Sequence, residues 1–249
     1  MRATWTIAKR EIFSFFVSPL AYVVITSWLA VQGTIFTLLA YFSATQMSTG
    51  ASHDNPVSWF FGGTTLFYLP LLVIVPLLTM RLLAEETRQG TLETLFTAPI
   101  SSASLVLGKY LAAMVFWVTL WAPTFVYAFI TSRFGDIDLG ALAAIAVGLF
   151  GVGLYYMSLG TLMSAIAKNQ IVAATLTFVL LMVLFTLGLG QFVAGDDAQH
   201  VAEYLSVWQH MQSFSSGLID TRFLVYDVSV AALGLYLSVA VLETRRNAP

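Results

Sequence analysis

Six stretches of about twenty residues run almost without a charge: 19–42, 60–80, 110–132, 139–167, 171–194 and 223–242. A helix needs roughly 20 apolar residues to cross about 30 Å of hydrocarbon. Only the last stretch holds an ionisable acid, Asp227, near its start. Charged residues make up 10% of the chain and hydrophobic ones 58%, whereas a soluble domain carries about 25% charged residues. The expectation is an all-α membrane protein with six transmembrane helices in one domain spanning 1–249.

Orientation follows from where lysine and arginine fall. With the N-terminus cytoplasmic, the inner side holds Arg2, Lys9, Arg10, Arg81, Arg88, Lys109, Lys168, Arg245 and Arg246, and the outer side only Arg133 and Arg222. Eight of the 13 acids fall on the outer side: Asp54, Asp136, Asp138, Asp196, Asp197, Glu203, Asp220 and Asp227. Both termini are therefore expected in the cytosol. No cleavable leader is expected, because residues 1–16 carry charges in their middle and no A-x-A-like site precedes the first long apolar run.

The connections differ in character. The loop 43–59 carries an Asn55-Pro56 turn signal. The short turns at 133–138 and 168–170 make the helices they join antiparallel neighbours. In the outer segment 195–222, Val201, Tyr204, Leu205, Trp208 and Met211 recur at helical spacing, which predicts a short amphipathic helix. Such a helix lies in the outer interface or packs on the protein's own loops. In segment 1–17, Trp5, Ala8, Ile12, Phe15 and Phe16 share a face, with Lys9 and Arg10 away from it. That pattern fits an interfacial helix lying on the inner leaflet, with Pro19 separating it from the first crossing. A cytoplasmic extension of the first span is the alternative.

Several chemistries are excluded or disfavoured. With no cysteine, thiolate metal sites and cysteine nucleophiles are impossible. There is no phosphate-binding loop, since Gly108-Lys109 is followed by Tyr110 and lacks the upstream glycine. His53, His200 and His210 lie in outer segments without metal-ligand spacing, and no serine sits in a G-x-S-x-G elbow. No clustered intramembrane His, Asp or Glu is evident, which disfavours a proton relay, an ion-driven transporter or a membrane-embedded enzyme. No enzymatic activity, bound cofactor or metal is expected in this chain. Gly140, Ala144 and Gly148, and separately Gly160 and Ser164, form rows of small residues that let helices approach closely. They serve a subunit interface or packing within one chain. Pro70 and Pro76 permit kinks in the second span.

The inner segment 81–104 is the most informative. Arg81, Glu85, Glu86, Arg88 and Glu93 crowd into thirteen residues of an otherwise charge-poor chain. Gly90 can end one short helix, and Thr91 can begin another with Leu92, Leu95 and Phe96 as its apolar face, stopped by Pro99. Ser101 to Ser104 lead back into the membrane. A short surface helix with a small apolar patch and flanking charges suits docking of another protein; a solvated loop is the plainer reading.

The run Ala84-Glu85-Glu86, Gly90-Thr91-Leu92-Glu93, Leu95 and Ala98-Pro99-Ile100-Ser101 resembles the inner-loop signature of ABC-2 type transporter permeases. The run from His210 through Gly217, Asp220 and Arg222 to Tyr226 resembles the gliding-motility (GldF-like) branch. Ala8-Lys9-Arg10-Glu11, Phe16 and Ser18-Pro19 are similar to that family's opening. The resemblance implies the permease subunit of an ATP-driven complex in a bacterial inner membrane, paired with a second copy of itself and with two ATPase subunits that hold ATP and magnesium. The inner loop would then be a coupling helix seated on the ATPase, with Glu85, Glu86, Arg88, Gly90, Thr91, Leu92, Glu93, Leu95 and Pro99 at that interface. In the gliding-motility branch, an accessory membrane protein with a large outer domain is a further implied partner. The competing expectation is a non-transporting membrane scaffold that anchors or signals to an outer or cytoplasmic partner.

Overall fold

A computed structural model describes residues 2–47, 60–62, 68–92, 100–131, 138–192 and 202–247, and the regular elements among them are all helical. In chain order they are α1 (Arg2–Val17), α2 (Pro19–Met47), α3 (Leu71–Thr79), α4 (Ala84–Gln89), α5 (Ser102–Trp121), α6 (Phe125–Thr131), α7 (Leu139–Ile166), α8 (Gln170–Leu189), α9 (Val207–Ser215) and α10 (Thr221–Asn247). Residues 60–62, 91–92 and 202–205 form further short helical pieces.

Among the described residues, five helices are long and apolar enough to cross a membrane: Pro19–Phe42, Ser102–Ile130, Leu139–Ile166, Gln170–Phe192 and Thr221–Asn247. The sixth expected span, 60–80, is described only at its two ends. The longest helical piece described there, α3, has nine residues and so rises about 13 Å. The two prolines punctuate it. Pro70 stands at the N-cap and Pro76 lies inside the helix, where its missing N–H deprives the carbonyl one turn back of a donor.

Local chemistry sets most of the other boundaries. Ser18 breaks the chain between α1 and α2, and Pro19 opens α2, where a proline N–H is not needed. Asp138 caps α7 by accepting from Gly140 N at 2.7 Å, and Asn169 caps α8 by accepting from Val172 N at 2.9 Å. The third span begins at Ser102 rather than at 110. Ser101 is its N-cap, accepting from Ser104 N at 3.2 Å, so the expected lead-in 101–104 is the cap and first turn. Pro123 lies in a tighter 3-10 turn between α5 and α6.

Helix α7 is the hub. Its apolar window is 56% buried, against 17% for α2. It packs on α3, α5, α8, α9 and α10. Trp117 of α5 donates from Nε1 to Leu149 O at 2.9 Å, and Tyr110 OH donates to Leu154 O at 3.1 Å. A Cβ at Gly148 would stand 2.5 Å from the Phe214 ring of α9. The Gly148 end of the small-residue row therefore serves packing within the chain. Gly160 faces Thr79 of α3 in the same way. Helix α2 is held mainly at Trp28, whose Nε1 donates to Thr124 Oγ1 at 3.2 Å and whose ring meets Trp121 edge-on at 4.7 Å.

Helix α1 packs along α5. Ala8 and Phe15 are buried, and Phe15 and Phe16 lie 5.4 and 5.7 Å from the Phe116 ring. Gly108 gives α1 its closest approach, since a Cβ there would stand 2.9 Å from Ile7 and from Thr4 O. The face expected to enter lipid thus largely meets protein. Trp5, expected on that face, is 66% exposed. Phe13 and Val17 are exposed as well.

Candidate coupling site

The site forms around α4, at the end of the bundle where α7 and α10 finish and α5 begins. The first N–H groups of any helix lack intrahelical partners. Leu83, the N-cap of α4, offers no side-chain cap. Ser164 of α7 supplies it from outside: its Oγ accepts from Leu83 N at 3.0 Å and Ala84 N at 3.1 Å, and donates to Met80 O at 3.3 Å. At the other end Gly90 takes the left-handed conformation, φ 71°, which ends the helix without a Cβ clash.

One side of α4 is tied to α7 and α10. Thr87 Oγ1 donates to Leu83 O at 3.1 Å and accepts from Arg245 Nη1 at 3.2 Å. Arg245 Nη2 also donates to Ile166 O at 2.7 Å, on the last carbonyls of α7. A cation there complements the negative end of that helix. The opposite side is tied to α5 and α1. Lys109, with a side chain only 2% exposed, places Nζ 3.0 Å from Glu86 Oε1 and 3.5 Å from Glu11 Oε2. Arg10 approaches Glu86 at 3.7 Å from the solvent side. Lys109 and Arg10 thus face Glu86 and Glu11 at the junction of α1, α4 and α5. The Arg81 guanidinium lies 4.3 Å over the Phe15 ring. Burial lowers its pKa from the ordinary arginine value, while Glu11 and Glu85 oppose that shift.

Of the residues singled out from the sequence, Glu85, Glu86 and Arg88 lie on α4, and Gly90 caps it. Glu86 faces inward to Lys109. Glu85 stays local, accepting from Arg88 Nη2 at 2.9 Å and from Gln89 Nε2. Thr91 is exposed and Leu92 buried at the start of the next helical piece. Glu93, Leu95 and Pro99 lie outside the described residues. Sequence reasoning missed Lys109, Glu11, Ser164, Thr87 and Arg245 as members of the site. The available signal was Lys109, a lone cation beside a glycine at the edge of an apolar span.

A second polar cluster sits at the opposite end of α7. His210 of α9 and Asp227 of α10 are both fully buried, with Nδ1 and Oδ1 3.4 Å apart. His210 Nε2 lies 2.9 Å from Tyr204 O, and the imidazole stacks on Phe223 at 4.3 Å. A Cβ at Gly151 would stand 2.7 Å from Asp227 Oδ2, so that glycine admits the carboxylate against α7. From the sequence, His210 lies in an outer segment and no acid is named beside it; the structure brings Asp227 to it.

A helical bundle with five membrane-length helices among the described residues, and a short helix strapped across one end, is that of a multi-pass membrane protein. The family model for ABC-2 family transporter proteins matches residues 7–242, so the chain belongs to that family of transporter permeases. No curated protein matches the sequence closely.

Proposed function

We propose that this chain is the permease subunit of an ATP-driven ABC complex and that α4 receives the motion of a separate ATPase. The observation that carries the reading is the attachment of α4. A six-residue helix cannot persist alone in water, yet this one is fastened to α1, α5, α7 and α10 by Glu86, Ser164 and Thr87. A push on such a helix reaches several helices at once. Its exposed Arg88 and Gln89, with Glu85 beside them, offer a charged surface to a partner, while its inward residues hold it to the bundle.

In this reading the α4 end faces the cytosol, as the excess of lysine and arginine there requires. The chain works as a homodimer with two ATPase copies, which carry ATP and magnesium. It sits in a bacterial inner membrane with both termini cytoplasmic, and it exports a substrate or moves an outer partner. The resemblance of 210–226 supports a reading within the gliding-motility branch, with an accessory membrane protein bearing a large outer domain as a further partner.

The test is Glu85→Arg, because the ion pair and hydrogen bonds of Glu85 run to Arg88 and Gln89 of α4 itself, while Glu86 is committed to Lys109. The variant should reach the membrane in normal amount but capture less of the co-expressed ATPase and stimulate its hydrolysis less. Normal capture together with normal hydrolysis would refute the coupling role of α4.

A further inference from the structure

The His210–Asp227 pair stands apart from the coupling site, and the transport reading makes no use of it. Asp227 lies six residues into α10, about 9 Å along the helix from its first residue. The surroundings determine where protons sit. The Tyr204 carbonyl facing Nε2 at 2.9 Å can only accept, so Nε2 carries a hydrogen. Nδ1 then faces Asp227 Oδ1 at 3.4 Å. One proton belongs to that gap, whether it rests on the imidazole or on the carboxyl.

With one proton the pair is neutral as a unit. With none, a lone pair on Nδ1 faces a carboxylate and the site holds a net negative charge. With two, it holds a net positive charge. The walls offer little to offset either. Phe223 stacks on the ring, and the backbone at Gly151 closes on the carboxylate. The titratable groups facing the pair are Tyr155 and Tyr156 from α7, Tyr226 from α10 and Tyr204 from the 202–205 helix. Tyrosines are neutral at ordinary pH. Asp220 also faces His210 electrostatically and is engaged with Arg222 at 2.6 Å. A net charge buried in such a place is expensive, and the simplest relief is for α9 to move away.

We propose that His210 and Asp227 form a binding site for a single proton that latches α9 onto α7 and α10, and that α9 lifts when the pair takes up a second proton or loses its only one. The rest of the α9 contact is apolar and tight but not covalently fixed: Met211 and Phe214 sit over Gly148, and Trp208 Nε1 donates to Gly62 O at 2.8 Å. The proposal stands whether or not an ATPase docks at α4.

The chain has no cysteine, so one introduced thiol is a unique reporter. Ser215→Cys places a thiol on the buried side of α9, and Ser216→Cys places one on its exposed neighbour. The full chain in lipid nanodiscs is treated with a methanethiosulfonate reagent across pH 4.5 to 9, and the ratio of the two rates cancels the thiol's own titration. The ratio should be lowest in a mid-pH window. On the acid side it should climb by up to roughly tenfold per pH unit, as opening linked to one proton requires. The double variant His210→Gln/Asp227→Asn should lose that dependence. A flat ratio with the pair intact, or equal reactivity at 215 and 216 at every pH, would overturn the latch. So would an unaltered profile in the double variant. Should the double variant fail to fold, the profile of the intact pair decides alone.

Discussion

Replacing Lys109 with methionine keeps the unbranched stem of the side chain, one atom shorter, and removes its charge. In the native arrangement the amine stands 3.0 Å from Glu86 and 3.5 Å from Glu11, with its side chain 2% exposed. Taking one partner from a buried ion pair costs about 3–5 kcal/mol, mostly because the remaining charge is left without compensation. Here two carboxylates would be left. Arg10 could still shield Glu86, but at 3.7 Å and from a largely exposed position it offsets only about 0.5 kcal/mol. A net loss of about 3 kcal/mol is expected from that balance. For a chain of this size each kcal/mol lowers Tm by about 2–4 °C, so the drop should be roughly 6–12 °C. Thermal unfolding of the purified chain in detergent, followed by tryptophan fluorescence at one fixed scan rate, measures it. Glu86→Gln added to Lys109→Met removes one of the stranded carboxylates and should restore about 1–2 kcal/mol of the loss. A drop below about 2 °C for the single variant, or single-variant losses that simply add in the double, would refute the clamp.

Two further outcomes follow from the same contacts. Ser164→Ala leaves the N–H groups of Leu83 and Ala84 without their acceptor, which should cost about 1–3 kcal/mol and show as a lower Tm with the chain still in the membrane. Gly148→Ala drives a methyl to 2.5 Å from the Phe214 ring; overpacking of that kind costs about 1–3 kcal/mol and should raise thiol labelling at a Ser215→Cys reporter.

Much of the helical order is written locally. The apolar run expected at 139–167 is α7 almost to the residue, because Asp138 supplies a cap and no charge interrupts the run. Gly90 marks the end of α4 for a backbone reason that any sequence reader can use. The start of α5 at Ser102 lies before the expected 110, and Lys109 stands between the two. A cation reads as a boundary only when its counter-charges are out of sight, and these come from α1 and α4. Ser164, Arg245 and the His210–Asp227 pair were hidden for the same reason. Periodicity tells which face a residue occupies, but not which distant helix will meet that face. His210 and Asp227 were each visible as oddities, and only the passage of α9 across α7 joins them.

The central position of α7 also has a consequence for biosynthesis. When residues up to 131 have left the ribosome, the Trp117 indole and the first amides of α4 still await Leu149 and Ser164. Those acceptors arrive only with the next long helix. Until then the Trp117 indole, within a membrane-length helix, lacks its acceptor in hydrocarbon, where an unpaired polar group costs several kcal/mol, while the α4 amides, at the cytosolic end in the proposed reading, can be met by water. The first half of the chain therefore completes this hydrogen bond only when the stem around which it closes has been threaded.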